Sequence, residues 1–166
     1  MPKREAAYHE AGHAVAADKS RFHALVGPIN LANYGAGAID ISLSKSKLRA
    51  AGKRPVADSQ RDQDVARDFA KILTAGLVAE QIASEKDKTL KPHPECAVPD
   101  HQLLKQNLNA AGLSKKFDRF EAESRRVLES NWNTVEKLAR YLMEKEHATV
   151  DEIREIIDDA TEDPVC

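Results

Sequence analysis

Apolar positions recur at three- and four-residue steps over most of the chain, with one stretch of strict alternation, a pattern that predicts a helical protein carrying a little sheet. Lys3 to Asp18 reads as a first helix, in which Ala6, Ala7, Ala11, Ala14, Val15 and Ala16 supply helix propensity and a small-residue face suited to burial. Phe22 to Leu31 and Gly37 to Leu43 read as extended. In the second of these, Ile39, Ile41 and Leu43 alternate with Ala38, Asp40 and Ser42, as in a half-buried strand. Pro28 suits a sheet edge or a bulge, and Asn33, Tyr34 and Gly35 make the turn between the two segments. Ser44 to Arg54 holds Lys45, Lys47, Arg49, Lys53 and Arg54 without an acid and reads as a flexible basic loop.

A long amphipathic helix is predicted over Asp58 to Ser84, with Val65, Phe69, Ile72, Leu73, Leu77 and Ile82 inward. Gly76 interrupts it. A glycine inside a helix costs about 1 kcal/mol relative to alanine, so its presence predicts the close approach of another backbone. Pro92, Pro94 and Pro99 make Glu85 to Pro99 an irregular connection, after which a helix opens at Asp100 and sets it on the stripe of Leu104 and Leu108. Ser114 to Lys145 reads as a third long helix, striped by Phe117, Phe120, Val127, Leu128, Val135, Leu138 and Leu142. Thr149 with Glu152 forms a capping box for a last helix that docks Val150, Ile153, Ile156 and Ile157, and Asp158 to Asp163 reads as a frayed end. The predicted class is α+β, mostly α-helical with one small β-sheet.

Composition narrows the possible roles. At 166 residues the chain is long enough to bury roughly two thirds of its unfolded surface without disulfides. Its 25 basic against 27 acidic residues leave a formal charge of −2, which argues against a nucleic-acid or anionic-membrane binder. No apolar run approaches about 18 residues and the start has no export pattern, so the expectation is a cytoplasmic protein with no membrane segment. Cys96 and Cys166 are too few for a disulfide framework and agree with a reducing compartment.

The chemistry is concentrated in His9-Glu10-Ala11-Gly12-His13. Two histidines four residues apart on a helix differ by about 40° in direction and about 6 Å in height, a fit for two nitrogens each about 2 Å from one zinc ion. Glu10, on the flank, is placed to take the proton of a metal-bound water as that water attacks a carbonyl. With six His and 14 Glu in the chain, chance supplies only roughly 0.02 such patterns. Gly12 within the motif predicts another segment packed closely there. Catalytic zinc usually takes three protein ligands, so an Asp, Glu, His or Cys elsewhere must complete the set.

The run Ala7 to Ala16 resembles the metal-binding helix of the peptidase domain in the FtsH family of ATP-dependent zinc metalloproteases. Ala75-Gly76-Leu77-Val78-Ala79-Glu80-Gln81-Ile82 is similar to that family's Gly-Gly-Arg-Ala-Ala-Glu-Glu-Leu segment, Val98-Pro99-Asp100-His101 falls where the family has an Asn-Asp pair opening a helix, and Ala122 to Ile157 looks like its closing helices. The resemblance implies a single zinc metallopeptidase-like domain over residues 1–166, with 1–113 as catalytic core and 114–166 as a C-terminal helical part. It also implies Asp100 as the third ligand beside His9 and His13. The family's ATPase signature is missing here, as is its membrane anchor, which predicts a free-standing peptidase-like protein or an excised domain. The small and Asn residues before the aspartate are replaced by Val98-Pro99, and the family's arginine by Leu77.

The expected function is therefore a zinc endopeptidase acting on unfolded or flexible polypeptides, with Glu10 as general base. The strand near Ile39 to Leu43 would pair with extended substrate. A separate ATPase or a homo-oligomer is the partner such a domain would need for folded substrates, and the alternative is a binding or regulatory module without turnover. Glu80 is a second candidate for the third ligand, read rather as a hydrogen-bond partner of a ligand histidine. His93, Cys96 and His101 near Asp100 are read as loop residues, His23 and His147 as surface or strand-edge histidines, and Tyr8 and Trp132 as core.

Overall fold

In the computed structural model, residues 3–36, 40–113 and 117–162 are described. Helix α1 (Lys3–Asp18) coincides with its predicted span and is buried on nearly every side, from His9 unbroken to Ala17. Alanine makes this possible, because side chains that end at Cβ let neighbouring helices approach. Helix α3 (Gln63–Lys86) crosses α1 at Gly12, where a Cβ would come within 2.6 Å of the Ala75 carbonyl oxygen and of the Ala79 Cβ. Helix α6 (Trp132–Lys145) packs on another side of α1. The main core joins these three helices to Leu128 of α5 (Phe117–Ser130) and Ile153 of α7 (Val150–Glu162), so one core spans both parts of the chain. A second cluster of Phe69, Leu73, Leu104, Leu108 and Phe120 seats α4 (Val98–Ala110) against α3 and α5.

The fold is mostly helical α+β, and its sheet is split into two antiparallel ladders. Strand β1 (His23–Leu25) pairs with β3 (Ile41–Leu43), Ala24 opposite Ser42, while β2 (Ile29–Asn30) pairs with β4 (His147–Ala148). The first three residues of the predicted strand 37–43 lie outside the described residues.

Several boundaries differ from the sequence reading. The basic stretch after Ser44 is a loop only over residues 51–54: its first part forms α2 (Lys45–Ala50), where the Ser44 hydroxyl accepts from the Lys47 N–H and Leu48 is buried beside Phe22 and Val65. Lys47 then reaches back to the end of α1, its Nζ donating to the carbonyl oxygens of Ala17 at 3.1 Å and His23 at 2.6 Å. Helix α1 has no basic residue in its own last turn, so α2 supplies the cation its C-terminus favours. Helix α3 begins after a 3₁₀ turn at Ala57–Arg61, because the Asp62 carboxylate caps the N–H groups of Asp64 and Val65.

Of the predicted helix 114–145, the first three residues lie outside the described residues and the rest is two helices, broken at Asn131, whose side chain donates to the Val127 carbonyl at 2.8 Å. The two halves serve different neighbours, α5 lying on α3 and α6 on α1, which one straight rod cannot do. Thr149 and Glu152 form the reciprocal capping box. Helix α7 continues to Glu162 through most of the stretch read as frayed, and Asp163 lies outside the described residues. Among the described residues no helix is long and apolar enough to cross a membrane.

Candidate metal centre

Where α1 and α3 cross, the four-residue spacing of His9 and His13 turns both imidazoles toward α3, and Pro99 in the first turn of α4 is followed by Asp100, aimed at the same point. His9 Nε2 and His13 Nε2 are 3.1 Å apart, and Asp100 Oδ2 lies 3.2 Å from the first and 3.0 Å from the second. All three residues are buried. Four ligands about 2.0–2.1 Å from a tetrahedral zinc stand about 3.3 Å from one another, so these spacings suit an ion between them.

The opposite edge of each imidazole settles which nitrogens are available. His13 Nδ1 is 2.8 Å from the Ile72 carbonyl oxygen, which can only accept, and His9 Nδ1 is 2.7 Å from Glu80 Oε2. Both Nδ1 atoms therefore donate, and in the neutral rings both Nε2 atoms present lone pairs. Two such lone pairs and a carboxylate oxygen at about 3 Å repel one another unless a cation, a proton or a metal ion, lies among them. Burial lowers the His9 pKa, but the bonded Asp100 and Glu80 carboxylates, with Glu10 beside them, outweigh it and raise it to about 9. Burial pushes Asp100 up, and the two histidines more than reverse this, holding it well below the usual carboxylate range.

Glu10 is 3% exposed, and burial raises its pKa against the lowering pull of His13 and His9. Its Oε2, like Asp100 Oδ1, has no hydrogen-bond partner among the described residues. Buried charged oxygens are costly to leave unpaired, so the donor set fits a group that would engage them, such as a divalent cation with its water.

Gly76 is explained here. A Cβ at that position would sit 2.5 Å from the Nε2 atoms of both His9 and His13. The sequence predicted a neighbouring backbone, and what comes close is the pair of candidate ligands. Glu80, 1% exposed, lies behind His9 as a hydrogen-bond partner.

The other candidates are elsewhere engaged. His93 Nδ1 bonds Glu95 and the His101 ring meets Phe117 edge-on at 4.6 Å, while Cys96 packs beside Gly35. His147 is exposed. His23 is not a surface residue: it is fully buried, its Nδ1 2.7 Å from Asp68, a carboxylate that also accepts from the N–H groups of Arg21 and Phe22. Tyr8 and Trp132 are only half-buried and stack on each other with centroids 5.7 Å apart.

Tyr34 was not singled out from sequence, yet its hydroxyl donates to Glu80 Oε1 at 2.7 Å. A turn tyrosine has no spacing signal, and only the fold brings it to the site. No protein-family model matches the chain, and no curated protein matches it either.

Proposed function

We propose that the chain is a zinc metallopeptidase domain that cleaves peptide bonds in unfolded or flexible polypeptides, as its likeness to the FtsH-type peptidases suggests. The supporting observation is the convergence of three buried lone-pair atoms, from His9, His13 and Asp100, beside the Oε2 of Glu10, which has no hydrogen-bond partner among the described residues. These three residues would hold the metal. When bound, zinc supplies Lewis acidity, polarising a peptide carbonyl and lowering the pKa of water toward neutrality. Glu10 takes the proton of the attacking water and returns it to the leaving amine, a task suited to a carboxylate whose pKa burial has raised. Glu80 and the Ile72 carbonyl hold the imidazoles in the tautomer that faces the ion.

An extended substrate is favoured by β3. The Asp40 carbonyl accepts from the Val26 N–H and the Ser44 N–H donates to the Phe22 carbonyl, on either side of β1, so the alternating main-chain groups of Ile41 and Leu43 face away from it. A cleft of about 400 Å³ lined by Ile41, Leu43, Leu48, Pro55 and Val56 lies beside that strand. The second reading, a metal-holding module without turnover, is favoured by the depth of the site, since Glu10, His9, His13 and Asp100 are each 2–3% exposed.

Metal content and cleavage of a flexible protein, compared for wild type, Glu10→Gln and Asp100→Ala, decide between them. The peptidase reading expects Glu10→Gln to retain about one zinc per chain and lose hydrolysis by roughly 10²-fold or more, and Asp100→Ala to lose the metal. Equal cleavage by wild type and Glu10→Gln refutes the catalytic role. Zinc binding without cleavage by any of the three supports the module.

A further inference from the structure

We infer that Tyr34 is a positioning residue for the metal centre, its hydroxyl fixing the Glu80 carboxylate that in turn orients His9. The inference rests on reading His9, His13 and Asp100 as metal ligands.

Glu80 receives three hydrogen bonds. Its Oε2 takes the His9 Nδ1–H at 2.7 Å, and its Oε1 takes the Tyr34 hydroxyl at 2.7 Å and the His93 backbone N–H at 3.1 Å. The last torsion of a glutamate side chain is soft, so a carboxylate bonded on one oxygen alone can rotate. Two donors on Oε1, from separate segments, hold the carboxylate plane and aim Oε2 at His9. The same tyrosine also touches the ligand directly, its ring meeting the His9 ring edge-on at 5.3 Å and 72°. One side chain thus packs against the imidazole and, through Glu80, sets the direction of its Nδ1–H.

Tyr34 is itself firmly placed. It follows the 3₁₀ turn Leu31–Asn33, which Asn30 caps by accepting from the Ala32 N–H, and its own N–H donates to the Leu31 carbonyl at 3.1 Å. Leu31 is fully buried and its N–H bonds the Glu146 carbonyl, tying the turn to the end of α6. Gly35, at φ +83°, then carries the chain past Cys96, where even a Cβ would lie 3.3 Å from the sulfur. The tyrosine is therefore wedged between the ligand helix and the segment that carries His93.

Metal–ligand distances tolerate only about ±0.2 Å, and losing an outer partner of a ligand costs about 10-fold to 100-fold in metal affinity. Tyr34 acts one bond further out than Glu80, so its effect belongs at the lower end of that range. Tyr34→Phe removes the hydroxyl and keeps the ring. Zinc affinity by competition with a chromophoric chelator, and the visible absorption of the Co²⁺-substituted protein, are measured for wild type, Tyr34→Phe and Glu80→Gln. Expected are one metal per chain in all three, affinity about 10-fold weaker in Tyr34→Phe and weaker still in Glu80→Gln, and an altered Co²⁺ spectrum in both variants. Tyr34→Phe with wild-type affinity and spectrum overturns the inference, as does a lower melting temperature of the metal-free variant with an unchanged spectrum, the mark of a turn residue that only supports the fold. A wild type that binds no zinc or cobalt overturns the metal-centre reading itself, and this inference with it.

Discussion

Zinc entering this site should displace a proton, and the size of the effect follows from His9. In the metal-free protein its pKa is raised to about 9, so at neutral pH the imidazole is charged and its Nε2–H occupies the space between the three donors. A metal ion must expel that proton. Between about pH 7 and pH 9 the expulsion becomes easier by up to about 1.4 kcal/mol per unit, so apparent zinc affinity should rise about tenfold over the first unit and about 50-fold in all. An ordinary imidazole, at 6.5, would leave affinity nearly flat over the same range. Chelator competition at several pH values gives the slope, and calorimetry in two buffers of different ionisation enthalpy counts the protons, with about one expected per zinc at about pH 7.5. The linkage to folding has a definite sign. The folded pKa lies above the unfolded one, so protonation stabilises the metal-free fold fully below 6.5 and ceases to do so as the pH rises through about 9. Its melting temperature should fall across that window while that of the zinc-saturated protein does not. A flat affinity with no proton released refutes the reasoning.

Gly76→Ala should abolish zinc binding, weakening it at least about 100-fold, because a Cβ 2.5 Å from both Nε2 atoms displaces both ligands. Overpacking costs about 1–3 kcal/mol against about 1 kcal/mol gained in helix propensity, so the fold survives and an equilibrium zinc titration reads the loss; normal binding contradicts the geometry. Asp68→Asn should destabilise the protein by about 2 kcal/mol in denaturant titrations near neutral pH, through weakened bonds to His23, Arg21 and Phe22. Burial raises the Asp68 pKa but the His23 bond and the two N–H donors bring it below 3.8, so the gap between wild type and variant should hold above that pH and narrow as the pH falls below it.

The sequence was most informative where one residue type has few explanations. The His9-Glu10-x-x-His13 spacing placed both imidazoles on one face, and the glycines at 12 and 76 marked the crossing of α1 and α3, though the identity of the neighbour at Gly76 was wrong because a missing Cβ says that space is needed and not what fills it. Asp100 was legible as a polar residue on an inward stripe and Glu80 only through the family resemblance, and the structure brings both to the histidines. Segments governed by long-range packing were misread. Charge concealed α2, which depends on one buried leucine and a serine cap. Continuous apolar periodicity hid the break at Asn131, where the neighbour changes and the spacing does not. His23, read as a surface or strand-edge histidine, does open β1, but its burial was not legible because its partner Asp68 lies 45 positions away.

The burial of α1 bears on the order in which the molecule can be made. Every candidate ligand has been synthesised once Asp100 emerges, yet α6, which covers a side of the ligand helix, ends only at Lys145. At about 5–20 residues per second that leaves roughly 2 to 9 s in which a growing chain carries two histidines and an aspartate without the wall that fixes their helix. The turn that bears Tyr34 is likewise unanchored until Glu146 arrives to accept the Leu31 N–H. On the reading of His9, His13 and Asp100 as metal ligands, metal capture would be a late event of biosynthesis, timed by helices that contribute no ligand.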